Sequence, residues 1–175
     1  EELALLMVDI GDGVGRETLA MISSMEEPLG TGIGNSLEIA EAIEILSGGG
    51  DRRLCGFCVE MASQMLRLAQ PDLSQQAAAE KIRQLLASGA ALAKFREFVV
   101  AQGGDGRVVD DASLLGTAAH SLEIVSGNAG IVCSMHSAEL GRSSILLGAG
   151  RHRKDDPIDL HAGIKLHVRC GDAVA

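Results

Sequence analysis

The sequence predicts an α/β unit followed by a partial α+β unit, and three observations lead there. Between residues 35 and 101, runs with helical spacing follow one another. A short, mostly apolar run stands before them, with glycines on both sides, and reads as a buried strand. After "AQGGDGRVVDD" the character changes, and short strand-like runs alternate with one short helix. Helices with a strand set among them suggest helices packed on a sheet.

Taken in order, Leu3 to Ile10 reads as the end of an amphipathic helix, stopped by the glycines at 11, 13 and 15. Thr18 to Met25 is the expected buried strand. A helix follows from about Asn35 to Leu46, in which Leu37, Ala40, Ile43 and Leu46 recur close to once per turn. Asn35 or Ser36 is the expected cap, with Glu38 three residues after Asn35 as in a capping box. "SGGGD" ends that helix by supplying residues tolerant of positive φ. Three more helices are expected at Arg52 to Ala69, Ser74 to Ser88 and Leu92 to Ala101, separated by Pro71 and Gly89. Beyond them, Thr117 to Val125 and Gly130 to Met135 read as strands. "SAELGRSSILLGAG" reads as a short helix and "AGIKLHVRCGD" as a last strand with a terminal turn.

Composition excludes several functions. Hydrophobic residues make up 46% of the chain, yet there are three Phe and no Trp or Tyr, so the core is aliphatic. Stacking platforms for exposed bases need aromatic faces that this chain lacks. A formal charge of −9 leaves no basic surplus to displace counterions from a nucleic acid. No apolar run of the roughly 18 residues a membrane helix needs occurs, so no membrane partner is expected. The acidic start "EELALLMVDIGDG" lacks the basic beginning of a signal peptide. Cys55, Cys58, Cys133 and Cys170 are too few and too scattered for a disulfide framework, which fits a reduced, cytoplasmic setting.

The segment "LGTGIGN", with glycines at 30, 32 and 34, raises the main question about chemistry. A glycine-rich turn before a helix exposes N–H groups and the positive end of the helix dipole, which favours an anion. It fails as a dinucleotide fingerprint, because Asn35 stands at the last glycine position and no βαβ unit follows. A plain tight turn with a solvated Glu41 is the other reading. Cys55 and Cys58 have C-x-x-C spacing, but no second pair follows and they lie inside a helix. Buried, inert thiols are expected there. His167 and Cys170 would face opposite sides of a strand, against a metal pair. "GRHRKDD" reads as a solvated loop, its cations balanced by Asp155 and Asp156. Gln102 to Asp105 caps a helix and marks a junction.

Three long blocks together resemble the thymidine and pyrimidine-nucleoside phosphorylase family. They are "LMVDIGDGVGRETLAMISSMEEPLGTGIGNSLEIAEAIEILSGGG", "SGAALAKFREFVVAQGGDGRVVDD" and "LLGAGRHRKDDPIDLHAGIKLHVRCGD". The middle block is the most specific, since a Lys-Phe-Arg helix running into Ala-Gln-Gly-Gly-Asp has no general structural rationale. The resemblance implies an internal fragment that lacks the family's N-terminal helical domain and the start of its α/β domain. Residues 1–104 are then part of the α/β phosphorylase domain, with helices on a truncated sheet. Residues 105–116 are a linker, and 117–175 a partial C-terminal α+β domain.

The activity implied is reversible phosphorolysis of uridine, thymidine or deoxyuridine to the free base and a sugar 1-phosphate. Its partners are a pyrimidine nucleoside, inorganic phosphate and a second copy of the enzyme in a homodimer. The resemblance places the phosphate and pyrimidine residues upstream, so no catalytic residue is expected in this chain and the fragment alone is expected to be inactive. No prosthetic group is implied. A potassium ion is, held by the carbonyls of Leu29 and Gly32 and the side chain of Glu41. A non-catalytic module of the same fold and a nucleoside-monophosphate phosphorylase are the alternatives.

Overall fold

The computed structural model describes residues 1–175. Helix α1 (Glu2–Gly13) opens the chain and buries none of its residues. A two-residue strand β1 (Gly32–Ile33) leads through Gly34 directly into α2 (Asn35–Leu46), which buries Glu41, Ile43 and Ile45. Helices α3 (Arg52–Ala69), α4 (Gln75–Ala87) and α5 (Ala90–Ala101) follow, with α3 and α4 packed as a hairpin. Asp51 caps α3 by accepting from Leu54 N at 2.8 Å, and Ser74 caps α4 by accepting from Ala77 N at 3.2 Å. These caps explain why both helices start where the sequence places them.

Residues 105–116 form two 3-10 turns, Gly106–Val109 and Ala112–Leu115, the first lying on α5. A bidentate Arg96–Asp110 pair ties that turn back to the helix. The C-terminal part contributes β2 (Gly130–Ile131), α6 (Ser137–Leu146), β3 (Ile164–Lys165) and β4 (Ala173–Val174). Two antiparallel ladders result. β1 pairs with β3, Gly32 opposite Lys165 and Ile33 opposite Ile164; β2 pairs with β4, Gly130 opposite Val174 and Ile131 opposite Ala173. The first ladder brings the C-terminal part onto the glycine loop.

α2 and α3 have the expected bounds, whereas α1 runs through Gly11 to Gly13 instead of ending at Ile10. The sheet departs from expectation. Thr18–Met25 and Thr117–Val125 form no strand, and of Gly130–Met135 only the first two residues do. A strand needs a neighbour to take its N–H and C=O groups, and these runs find none. β3 stops at Lys165, so the alternation expected for His167 and Cys170 does not apply. The cap of α2 is Gly34 at φ +135°, not Asn35 or Ser36. Ser36 instead sends its hydroxyl to the Leu115 carbonyl at 3.1 Å. Glu38 accepts from Gly34 N at 3.1 Å, four residues before it, so the N-terminus is closed by that carboxylate and the expected Asn35–Glu38 box does not form.

The chain exposes 12396 Å², against about 8,100 Å² for a compact monomer of its mass. Much of the excess is apolar, including Leu6, Met25, Leu122 and Ile124. A cavity of about 780 Å³, walled by Ile45, Leu54, Val59, Ile82 and Phe95, opens between α2, α3, α4 and α5. Cys58 faces it, which corrects the expectation of two buried thiols: Cys58 is exposed and Cys55 half-buried. The sulfur's apolar surroundings, and then Cys55, still push the Cys58 thiol above its usual range, so it stays protonated and a poor nucleophile. No helix is long and apolar enough to cross a membrane.

Candidate functional site

Each glycine of "LGTGIGN" stands where a side chain would collide with a different neighbour. A Cβ on Gly30 would run into Oε2 of Glu41. On Gly32 it would come within 3.0 Å of the Leu37 carbonyl. On Gly34 it would strike the Ala162 carbonyl, while Gly163 opposite is equally crowded by the Ile33 carbonyl. The alternating glycines therefore let the loop lie flat against α2 on one side and residues 162–163 on the other.

The exposed N–H groups do meet an anion, and it belongs to the chain. Glu41, 5% exposed, projects from α2 into the loop. Its Oε1 accepts from Thr31 N at 2.8 Å and from the Thr31 hydroxyl at 2.5 Å, and Oε2 accepts a longer bond from Gly32 N at 3.4 Å. A buried carboxylate that collects several donors is held in its charged form. Burial pushes the Glu41 carboxyl up, but the hydrogen bonds from Thr31 and Gly32 and the charge of Lys165 outweigh it and hold it below the ordinary 4.5. The solvated Glu41 of the plain-turn reading is thereby corrected.

Two cations from the C-terminal part complete the arrangement. Lys165 Nζ donates to the Thr31 hydroxyl at 2.8 Å. Arg169, 6% exposed, donates from Nη1 to the Pro28 carbonyl at 2.6 Å and from Nη2 to the Leu29 carbonyl at 3.0 Å. The same Nη2 lies 3.4 Å from Asp51 Oδ2, so the guanidinium joins the loop to the cap of α3. Sequence reasoning singled out Leu29, Gly32 and Glu41, of which the fold bonds Gly32 to Glu41 and turns the Leu29 carbonyl to Arg169, and missed Thr31, Asp51, Lys165 and Arg169. Nothing local singled out Arg169, which is one of three polar residues, with Lys165 and His167, alternating with apolar ones from Ile164 to Cys170.

The oxygens here are of the kind a hard cation takes. Oε2 of Glu41 accepts only the long bond from Gly32 N. The Leu166 N–H to Thr31 carbonyl bond, 2.8 Å, sets the register so that Gly32 directs its own carbonyl away from β3. The Leu29 carbonyl keeps one lone pair beside its bond to Arg169. By donor type, then, the oxygens of Leu29, Gly32 and Glu41 are ones a hard cation could take.

A pH dependence follows from Glu41 and Asp51. For Asp51, burial raises the carboxyl, but bonds from Leu54 N and the charge of Arg169 hold it below the ordinary 3.8. Both carboxyls are thus lowered on folding, so their stabilisation is present above the unfolded values and is lost as pH falls through the folded ones. Urea midpoints of the full-length protein are expected to fall below about pH 4.5, and less steeply in Glu41→Gln. An equally steep decline in that variant would count against the charged Glu41.

Residues 131–175 match the family described as the pyrimidine nucleoside phosphorylase C-terminal domain. Over 173 residues, 99% of the chain, the sequence is 44% identical to a pyrimidine-nucleoside phosphorylase of Bacillus subtilis (strain 168). It is 43% identical over 174 residues to that of Staphylococcus haemolyticus, and 42% over 172 residues to that of Geobacillus stearothermophilus. Along nearly its whole length the chain is thus similar to a segment of these pyrimidine-nucleoside phosphorylases. It spans about 40% of the length of each of these relatives. In pyrimidine-nucleoside phosphorylase terms, Lys165 and Arg169 come from the stretch that matches the C-terminal domain. The glycine loop they hold lies outside that stretch.

Proposed function

We propose that the full-length protein is a pyrimidine-nucleoside phosphorylase acting on uridine, thymidine or deoxyuridine. An oxygen of inorganic phosphate attacks the anomeric carbon, the glycosidic C–N bond breaks, and the base departs with the electron pair and takes up a proton. The observation that carries this reading is the 42–44% identity along 98–99% of the chain to three relatives of that name. Such a site has to orient phosphate and stabilise charge growing on the departing base. The resemblance assigns those tasks to residues upstream of this segment. A cytoplasmic homodimer belongs to the same proposal.

Within this segment, the proposal gives Glu41, with the carbonyls of Leu29 and Gly32, the role of holding a potassium ion. A bound ion would add positive charge and rigidity to the loop and would take no part in making or breaking bonds. The chain's own contribution is the geometry: Thr31 and Gly32 orient the carboxylate, and Arg169 holds the Leu29 carbonyl. Incubating the full-length protein with phosphate and either uridine or thymidine tests the proposal. Sugar 1-phosphate and free base are expected in equal amounts. No sugar 1-phosphate from either nucleoside would overturn it.

A further inference from the structure

Lys165 is the only cation directed at Glu41, and it reaches the carboxylate through a single hydroxyl. Its ammonium donates to Thr31 Oγ1 at 2.8 Å, and that hydroxyl donates onward to Glu41 Oε1 at 2.5 Å. Lys165 forms none of the chain's ion pairs, so no other carboxylate draws its charge away. Its place is set by backbone, since β3 seats it directly opposite Gly32, beside the loop. The residue is exposed, and its stem is a flexible four-carbon chain. Arg169, the other cation near the loop, is buried and spent on two carbonyls and Asp51.

We propose that Lys165 is a tethered counter-cation of the Glu41 site, competing with a mobile monovalent cation and thereby setting how much potassium the loop requires. The inference rests on the cation role given above to Glu41, Leu29 and Gly32. The reason is electrostatic. An ion on Glu41 would share one carboxylate with the Lys165–Thr31 chain that ends on Oε1, and like charges on one carboxylate repel where water is partly excluded. Lys165 would have to leave Thr31 for the ion to bind without that repulsion. With the ammonium in place the loop keeps a positive neighbour at low potassium; without it, Glu41 depends on the ion alone. Lys165 is a positioning residue and touches no reacting atom.

The test is potassium-specific thermal stabilisation of the full-length protein, with choline chloride holding ionic strength constant. Lys165→Met and Lys165→Gln remove the charge, the second keeping a hydrogen bond to Thr31, and Lys165→Arg retains the charge. The potassium concentration giving half the stabilisation is expected to fall about tenfold in the two neutral variants. It stays near wild type in Lys165→Arg. Glu41→Gln is expected to abolish the response in either background. An unchanged half-saturation in both neutral variants, with the response still lost in Glu41→Gln, overturns the role of Lys165 and leaves the cation site standing. A response that survives Glu41→Gln, or none in any variant, overturns the cation site and this inference together.

Discussion

Arg169→Met destabilises the full-length protein by about 3 kcal/mol, because removing one partner of a buried ion pair leaves the other without compensation. Arg169 is 6% exposed, and Asp51 opposite it is buried for four-fifths of its side chain. The substitution also removes the donors to the Pro28 and Leu29 carbonyls, which fix the start of the glycine loop. One feature moderates the loss: Nε of Arg169 is buried without a partner, a cost that methionine relieves. With about 2.1 cal/mol/K per residue over the roughly 430 residues of a full-length relative, the melting temperature is expected to drop by roughly 3 °C. Calorimetry checks this. A shift within about 0.5 kcal/mol, the range of ordinary surface changes, would mean that the guanidinium does not join the two parts. Arg169→Lys should recover only a fraction, since an ammonium cannot present the planar fork that spans two carbonyls and Asp51.

Gly34→Ala is expected to cost about 4 kcal/mol, from backbone strain and overpacking together. Gly34 sits at φ +135° and ψ 152°, a region that L side chains rarely adopt. The new methyl group would also point at the Ala162 carbonyl, which is backbone and cannot rotate away. Relief requires β1 and β3 to separate, and that removes Lys165 from Thr31. Gly56→Ala supplies the contrast. Gly56 lies within α3 with nothing near its missing Cβ, so alanine there stabilises by about 1 kcal/mol. Urea unfolding of both variants measures the difference. Equal effects would show that the crowding at Gly34 is without energetic consequence.

The helices were legible because their signals are local. Asp51 and Ser74 cap the helices that follow them, and the glycines after Leu46 stop α2. The strands were not, because an apolar run such as "TLAMISSM" shows what wants burial without showing what buries it. At the site, Glu41 and the loop lie within a dozen residues of each other, and resemblance was enough to pair them. The residues that complete it, Lys165 and Arg169, lie 134 and 140 residues away in sequence from Thr31 and Leu29. Nothing in spacing brings such residues together; the β1–β3 ladder does. The generic reading of the glycine loop as an anion site was right about the physics. It missed that the anion is the chain's own carboxylate.

Potassium activation of phosphorolysis in Glu41→Gln tests the account most directly. Rates of uridine phosphorolysis by the full-length protein are followed against potassium chloride, with choline chloride holding ionic strength constant. Wild type is expected to be activated by potassium. Glu41→Gln is expected to lose that dependence while its KM for uridine changes less. Unchanged activation in Glu41→Gln would contradict the account, because the buried carboxylate would then have no part in holding the ion.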